Sequence, residues 1–191
     1  YDNQVDFDNV HNLIDKPEHQ QRIAVLKAEM RQRQLELRDS GLLPERMRER
    51  RAAANHTTIY EMVRNETLYP LATYLDAADR ALERAPSHLA TFTRQLEDPD
   101  AGIRWWAVIG MHLLEETAAP ASPVLLKALG DTAPEIRMMA AWTLVKLGHQ
   151  EDKALGDHAP CRGNRGVQYP PAPQYSRLDG RASPSAGQAV H

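Results

Sequence analysis

The sequence predicts a mainly α-helical fold in which helical hairpins stack as a short α-solenoid, preceded by a remnant strand and connecting helices and followed by a disordered tail. Three observations predict it. Hydrophobic residues make up 42% of the 191 positions, enough for a core, yet aromatics are only 6% and strand-forming runs of Val, Ile and Phe are scarce. Proline and capping residues restart the chain at intervals suited to short helices. Two stretches in the second half repeat at a fixed interval of 33 residues.

Residues 1–14 read as a strand and turn, beginning at Tyr1, and residues 15–85 as connecting helices. The first helix starts at Asp15, which can cap while Glu18 bonds back three residues later, with Pro17 in the first turn where no donor is lost. Ile23, Leu26, Met30 and Leu37 fall on one face, Glu29, Arg31, Gln32 and Arg38 on the other, and Gly41 supplies the stop. Pro44 opens a short basic helix, PERMRERRAAAN, ending near Asn55. Thr58 and Glu61 form a capping box, and Pro70 precedes a helix carrying Leu71, Leu75, Ala78 and Leu82 on one stripe. Pro86 and Ser87 restart the chain once more.

Residues 86–148 hold the repeat. LEDPDAGIRWWAVIGMHLL from Leu96 aligns with LGDTAPEIRMMAAWTLVKL from Leu129, pairing Leu96 with Leu129, Asp98 with Asp131, Ile103 with Ile136, Arg104 with Arg137, Ala107 with Ala140 and Leu114 with Leu147. Each unit reads as helix, tight turn, helix. The aspartates can accept backbone N–H bonds in the turn, close to a helix N-terminus that favours negative charge. Ala107 and Ala140 permit close helix approach, and Ile103, Leu114, Ile136 and Leu147 supply a buried stripe. Arg104 and Arg137 are placed to bond the neighbouring turn. Such a pattern, an Asp turn followed by a helix opening on Ile and Arg, resembles bacterial HEAT-like repeats. Two units leave an apolar face uncovered, so the Leu71–Leu82 helix or an upstream domain must cap the first.

Residues 149–191 are rich in Pro, Gly, Ser and Ala, with Leu155, Val167, Leu178 and Val190 as the branched aliphatics, a composition that predicts disorder. His149, Asp157, His158 and Cys161 fit no common zinc spacing. The single cysteine forms no intrachain disulfide.

Candidate contact residues are few. Arg46, Arg48, Arg50 and Arg51 could meet an oxyanion at a substrate edge, although Glu45 and Glu49 sit among them and a solvated helix face explains them too. Trp105 and Trp106, adjacent on a helix, could anchor a protein partner or pack within the repeats. Asp6, Asp8, Asp15 and Glu18 lack EF-hand spacing and read as turn and cap residues with no acid–base role. The formal charge of -3 gives no global attraction to nucleic acid, and no apolar run reaches the roughly 18 residues of a membrane span. The acidic first residues are no signal peptide. A chain opening on Tyr1 rather than Met is expected to be a processed product or a fragment.

YDNQVDFDNVHNL resembles the C-terminal pattern of bacterial sulfatases of the alkaline-phosphatase-like family, with Tyr1, Asp2, Asp6, Asn12 and Leu13 matching. Asn3 and Phe7 stand where that family has Leu and Pro. HNLIDKPEHQ, ELRDSGLLPE and TIYEMVRNETLYPL continue the likeness. The resemblance implies a parent enzyme hydrolysing sulfate esters, for example those of a sulfated carbohydrate, with formylglycine and calcium upstream of this chain and a periplasmic or secreted location. CRGNR at Cys161 keeps the arginine of the formylglycine sequence but lacks its proline and serine, so this chain alone carries no catalytic residues, no cofactor site and no metal site. Its partners would be its own upstream sulfatase domain or another protein. The alternative is an independent HEAT-type scaffold that binds another protein.

Overall fold

The computed structural model describes residues 1–148. The chain divides into two units, Tyr1–Pro160 and Cys161–His191, and the described residues all belong to the first. The expected disordered tail, the His149, Asp157, His158 and Cys161 group and the CRGNR sequence lie outside the described residues.

The described chain is built of helices: α1 (Gln20–Leu37), α2 (Glu45–Ala54), α3 (Ile59–Met62), α4 (Leu71–Leu82), α5 (Leu89–Gln95), α6 (Ala101–Leu113), α7 (Ser122–Ala128) and α8 (Pro134–Lys146). Short 3-10 segments at Pro17–His19, Pro86–His88 and Glu115–Ala121 lead into α1, α5 and α7. Helix α5 packs against α6 and α7 against α8, while α4, α6 and α8 follow one another as a contiguous row. The expected pair of hairpins is present, and α4 caps the first of them.

The core lies along that row. Leu71, Tyr74, Ala107, Val108, Met111, Leu125, Ile136, Ala140 and Leu144 are fully buried, each large apolar side chain contributing about 1.5–3 kcal/mol. Ile103 is buried as the periodicity requires, and Ala107 and Ala140 are fully buried. Two glycines mark close approaches between helices. A Cβ on Gly102 would lie 2.7 Å from the Tyr74 ring, and one on Gly110 would lie 2.5 Å from the Phe92 ring. Gly102 thus sets how near α6 comes to α4, and Gly110 how near it comes to α5.

Several expectations are corrected. Residues 1–14 form a succession of turns rather than a strand: Val5 and Asp6 donate to the Asp2 carbonyl at 3.1 and 2.8 Å, and Asn9 to that of Asp6 at 3.1 Å. A strand needs a neighbour for its N–H and C=O groups, and the described residues supply no sheet edge. The Asp15–Glu18 capping box does not form, because the first turn is a 3-10 segment starting after Lys16 with no side-chain cap. The Thr58–Glu61 box does form, with the Glu61 N–H donating to the Thr58 hydroxyl at 3.2 Å and the Thr58 N–H to the Glu61 carboxylate at 3.2 Å.

Helix α1 stops at Arg38, not at Gly41. Arg38 adopts the left-handed region at φ 57°, an arrangement that costs a non-glycine residue about 1–2 kcal/mol. Its side chain offsets this by donating from Nε to the Val63 carbonyl at 2.9 Å and pairing with Glu66. The supposed core face of α1 is open as well: Leu26, Met30 and Leu37 are 53%, 56% and 74% exposed. Arg31 instead ties the helix to α4, bonding Asp76 at 2.5 Å and Asp79 at 3.0 Å. Leu82, placed on the buried stripe of α4, is exposed at its end.

Arg84, just past α4, repeats the left-handed geometry at φ 51° with an exposed side chain. Arg84→Gly removes that steric cost at the expense of some unfolded-state entropy, and is expected to stabilise the fold by about 0.5–1 kcal/mol. Thermal unfolding checks it: the midpoint should rise by roughly 1–4 °C, and a fall would refute the assignment of strain.

Candidate protein-contact surface

The two Asp turns that open α6 and α8 share one geometry. The carboxylate of Asp98 accepts the Asp100 N–H at 2.8 Å and that of Asp131 accepts the Ala133 N–H at 2.7 Å, side chains closing the turn two residues on. Arg104 returns to its own turn, donating from Nη1 to the Asp98 and Pro99 carbonyls at 2.8 and 3.0 Å. Its other edge, Nε and Nη2, grips the Asp131 carboxylate of the following turn at 2.8 and 3.0 Å. One arginine therefore links two repeats, as the sequence predicts for a residue bonding the neighbouring turn. Burial opposes charge on Asp131, but Arg104 and the Ala133 N–H outweigh it and hold the carboxyl below its usual range.

Arg51 from α2 has a comparable role at the preceding turn. Its Nη2 and Nη1 meet Asp100 at 2.6 and 3.3 Å, and it also contacts the Tyr74 hydroxyl, which donates to Asp100 at 2.8 Å. Asp100 in turn caps α6 by accepting the Gly102 N–H at 2.6 Å. Burial pushes the Asp100 carboxyl up, but Arg51, Tyr74 and the Gly102 N–H together bring it below its usual value. The Tyr74 hydroxyl is driven well above the ordinary tyrosine range, chiefly by burial.

This accounts for much of the basic cluster on α2. Arg50 pairs with Glu135 of α8, Arg48 donates to the Ser40 hydroxyl at 2.7 Å and Arg46 bonds Glu49 at 2.9 Å within its own helix. The structure gives each of the four arginines partners of its own instead of gathering them toward one exposed oxyanion. Arg50 and Arg51 have structural roles that their spacing did not announce: their acceptors stand 85 and 49 positions away.

Trp105 and Trp106 both sit half-buried against the core. Trp106 donates its indole N–H to the Leu42 carbonyl at 2.9 Å, fastening the loop between α1 and α2. The exposed tryptophan is a different one. Trp142 on α8 is 59% exposed and Met138, one turn before it, 54%. The Trp142 ring lies 4.8 Å from that of His112, whose Nδ1 approaches the Thr143 hydroxyl at 3.2 Å. Burial and then the Lys146 charge lower the His112 pKa, so the imidazole stays neutral around pH 7 and the patch is apolar and aromatic. A sequence signal for it existed: Trp142 stands where the first unit has Ile109, four residues after Met138.

Residues 89–155 match the family model described as HEAT repeats. The helical array seen in the fold is HEAT-like, and its matched span holds both Asp turns, the Arg104 bridge and the Met138–Trp142 patch. Comparison with curated proteins and with solved structures gives no match.

Asp2 and Asp6 turn their carboxylates onto backbone N–H groups, those of Gln4 at 3.0 Å and of Val10 and His11 at 3.0 and 2.8 Å. The His11 N–H in particular keeps Asp6 below the usual carboxylate range. These carboxylates are thus engaged in closing turns. No group of three or more His, Cys, Asp or Glu suited to a metal occurs among the described residues. Among them, too, no helix is long and apolar enough to cross a membrane.

Proposed function

We propose that this chain is a non-catalytic accessory region that works by protein contact, its HEAT-like repeats forming the scaffold and residues 1–41 docking on the catalytic domain of a sulfatase. The observation that carries the contact role is the state of those residues: none is buried, and Phe7, Val10, Ile14, Val25, Leu26, Met30 and Leu37 are 45–88% exposed. So long an uncovered apolar run is characteristic of a surface that meets another protein. Support for a sulfatase as that protein is the ordered match of Tyr1, Asp2, Asp6, Asn12 and Leu13 to the C-terminal pattern of the family. Sulfuric ester hydrolysis, with its formylglycine and calcium, belongs in this reading to the upstream domain, and Arg46 and Arg50 are then the basic residues of the α2 cluster best exposed to a sulfated carbohydrate.

The Met138–Trp142 patch favours a second reading, an independent scaffold whose partner covers α8. Hydrogen exchange separates the two. Expressed together with the polypeptide encoded upstream, the chain should show slower exchange over 20–37 than it does alone, and the joined protein should hydrolyse an aryl sulfate. Unchanged exchange, or a natural start codon beside that of Tyr1, would leave the independent scaffold standing and the sulfatase assignment refuted.

A further inference from the structure

Arg137 occupies the place of Arg104 but has half its partners. Its Nη1 donates to the carbonyls of its own turn, Asp131 at 2.7 Å and Thr132 at 3.4 Å, as Arg104 does to Asp98 and Pro99. The Nε and Nη2 edge, which in Arg104 grips the next aspartate, meets no carboxylate among the described residues. The surrounding face is uncovered too. Val108 is fully buried whereas its counterpart Ala141 is half-buried, and Trp105 and Ile109 are half-buried whereas Met138 and Trp142 are exposed. A guanidinium edge of this kind is a fork for one carboxylate.

The chain itself carries a matching acceptor. Lys127–Pro134 reads KALGDTAP, and Lys153–Pro160 reads KALGDHAP, identical at seven of eight positions. In its first occurrence this string ends α7, makes the Asp131 turn and places Pro134 at the start of α8. The second occurrence repeats the string of that turn, with Asp157 in the place of Asp131. The reach also fits. From Arg137 to Lys146, α8 rises about 14 Å, and past the Gly148 turn at φ 79° the eight residues 149–156 reach about 12 Å at a helical rise and roughly 27 Å fully extended. After Pro160 the chain reads CRGNRGVQY, without the Ile-Arg and the apolar stripe that come after Pro134.

We propose that Lys153–Pro160 is a third Asp turn that docks on α8 and closes the array, the Asp157 carboxylate lying on the Nε and Nη2 edge of Arg137. It differs in position and occupant from the docking of residues 1–41, and it puts this chain's own segment on the α8 face that the second reading gives to a partner. The array then ends on its own chain, and the Arg137 fork is not open to the aspartate turn of a second copy.

A double-mutant cycle on the full chain tests this. Arg137→Gln and Asp157→Asn should each lower the unfolding midpoint by roughly 2–4 °C, and the double variant should fall no further than the worse of the two. In hydrogen exchange, amides of 153–160 and of the first turn of α8 should be protected in the parent chain and lose protection in Asp157→Asn. Additive shifts, no effect of Asp157→Asn, or amides of 153–160 exchanging at the unprotected rate would overturn the proposal. So would a coupling that appears only at concentrations where sedimentation shows a dimer, since the occupant would then be a second copy.

Discussion

Asp100→Ala should destabilise the protein by about 3 kcal/mol, lowering the thermal midpoint by roughly 6–12 °C. Two losses combine. The α6 N-cap to Gly102 disappears, worth about 1 kcal/mol, and Arg51 is left partly buried with its positive charge facing the Tyr74 hydroxyl and no carboxylate. Breaking one side of such a pair costs more than the pair contributes, because the remaining charge has already given up its water. The figure sits at the low end for buried pairs because the Asp100 side chain is 24% exposed. Asp100→Asn keeps a capping oxygen and should cost less. The pH profile identifies the cause. A carboxyl whose folded pKa lies below its unfolded value stabilises fully above about pH 4 and loses that contribution as pH falls through the folded value. Parent and Asp100→Asn midpoints should therefore converge as pH falls below about 4, and a constant gap on that acid side would argue against the charge.

Phe92→Ala should cost about 3–5 kcal/mol, the ordinary penalty for emptying a fully enclosed aromatic site. The ring seats on Gly110 so closely that a Cβ there would lie 2.5 Å from it, making glycine and phenylalanine one packing unit. Gly110→Ala alone should thus destabilise by overpacking, by about 1–3 kcal/mol. Introduced into a Phe92→Leu background, where the ring is gone, the same alanine should cost little or nothing. Chemical denaturation of the four proteins gives the coupling directly, and independent, additive effects would show that α5 and α6 do not meet through this pair.

Agreement between pattern and structure tracks the range of the interactions. The Thr58–Glu61 box, the Pro70 start of α4 and both Asp turns are legible because each is completed within a few residues of backbone. The Ile103 and Ile136 stripe is legible because a repeated period reports a repeated contact. Helix α1 misleads on the same kind of evidence: its apolar spacing is helical, but spacing says nothing of whether a neighbour is present to cover it. Its stop at Arg38 likewise depends on Val63 and Glu66, far along the chain. Of the contact residues, Trp105 and Trp106 stand out in the sequence as a pair, yet the tryptophan left exposed is Trp142. No local rule separates them, since exposure depends on which helix comes to lie alongside.

The sequence by itself determined the helices, the two Asp turns and the repeat, because hydrogen bonds between near neighbours and a periodic apolar face are written in consecutive residues. Tertiary structure alone decided that Arg51 belongs to Asp100, that Arg104 spans to Asp131 while Arg137 does not reach a carboxylate among the described residues, and that Gly102 and Gly110 admit Tyr74 and Phe92. Charges and rings of this kind find partners only after the helices have packed. The energy of each contact then depends on distance and lost water, quantities that no spacing along the chain contains.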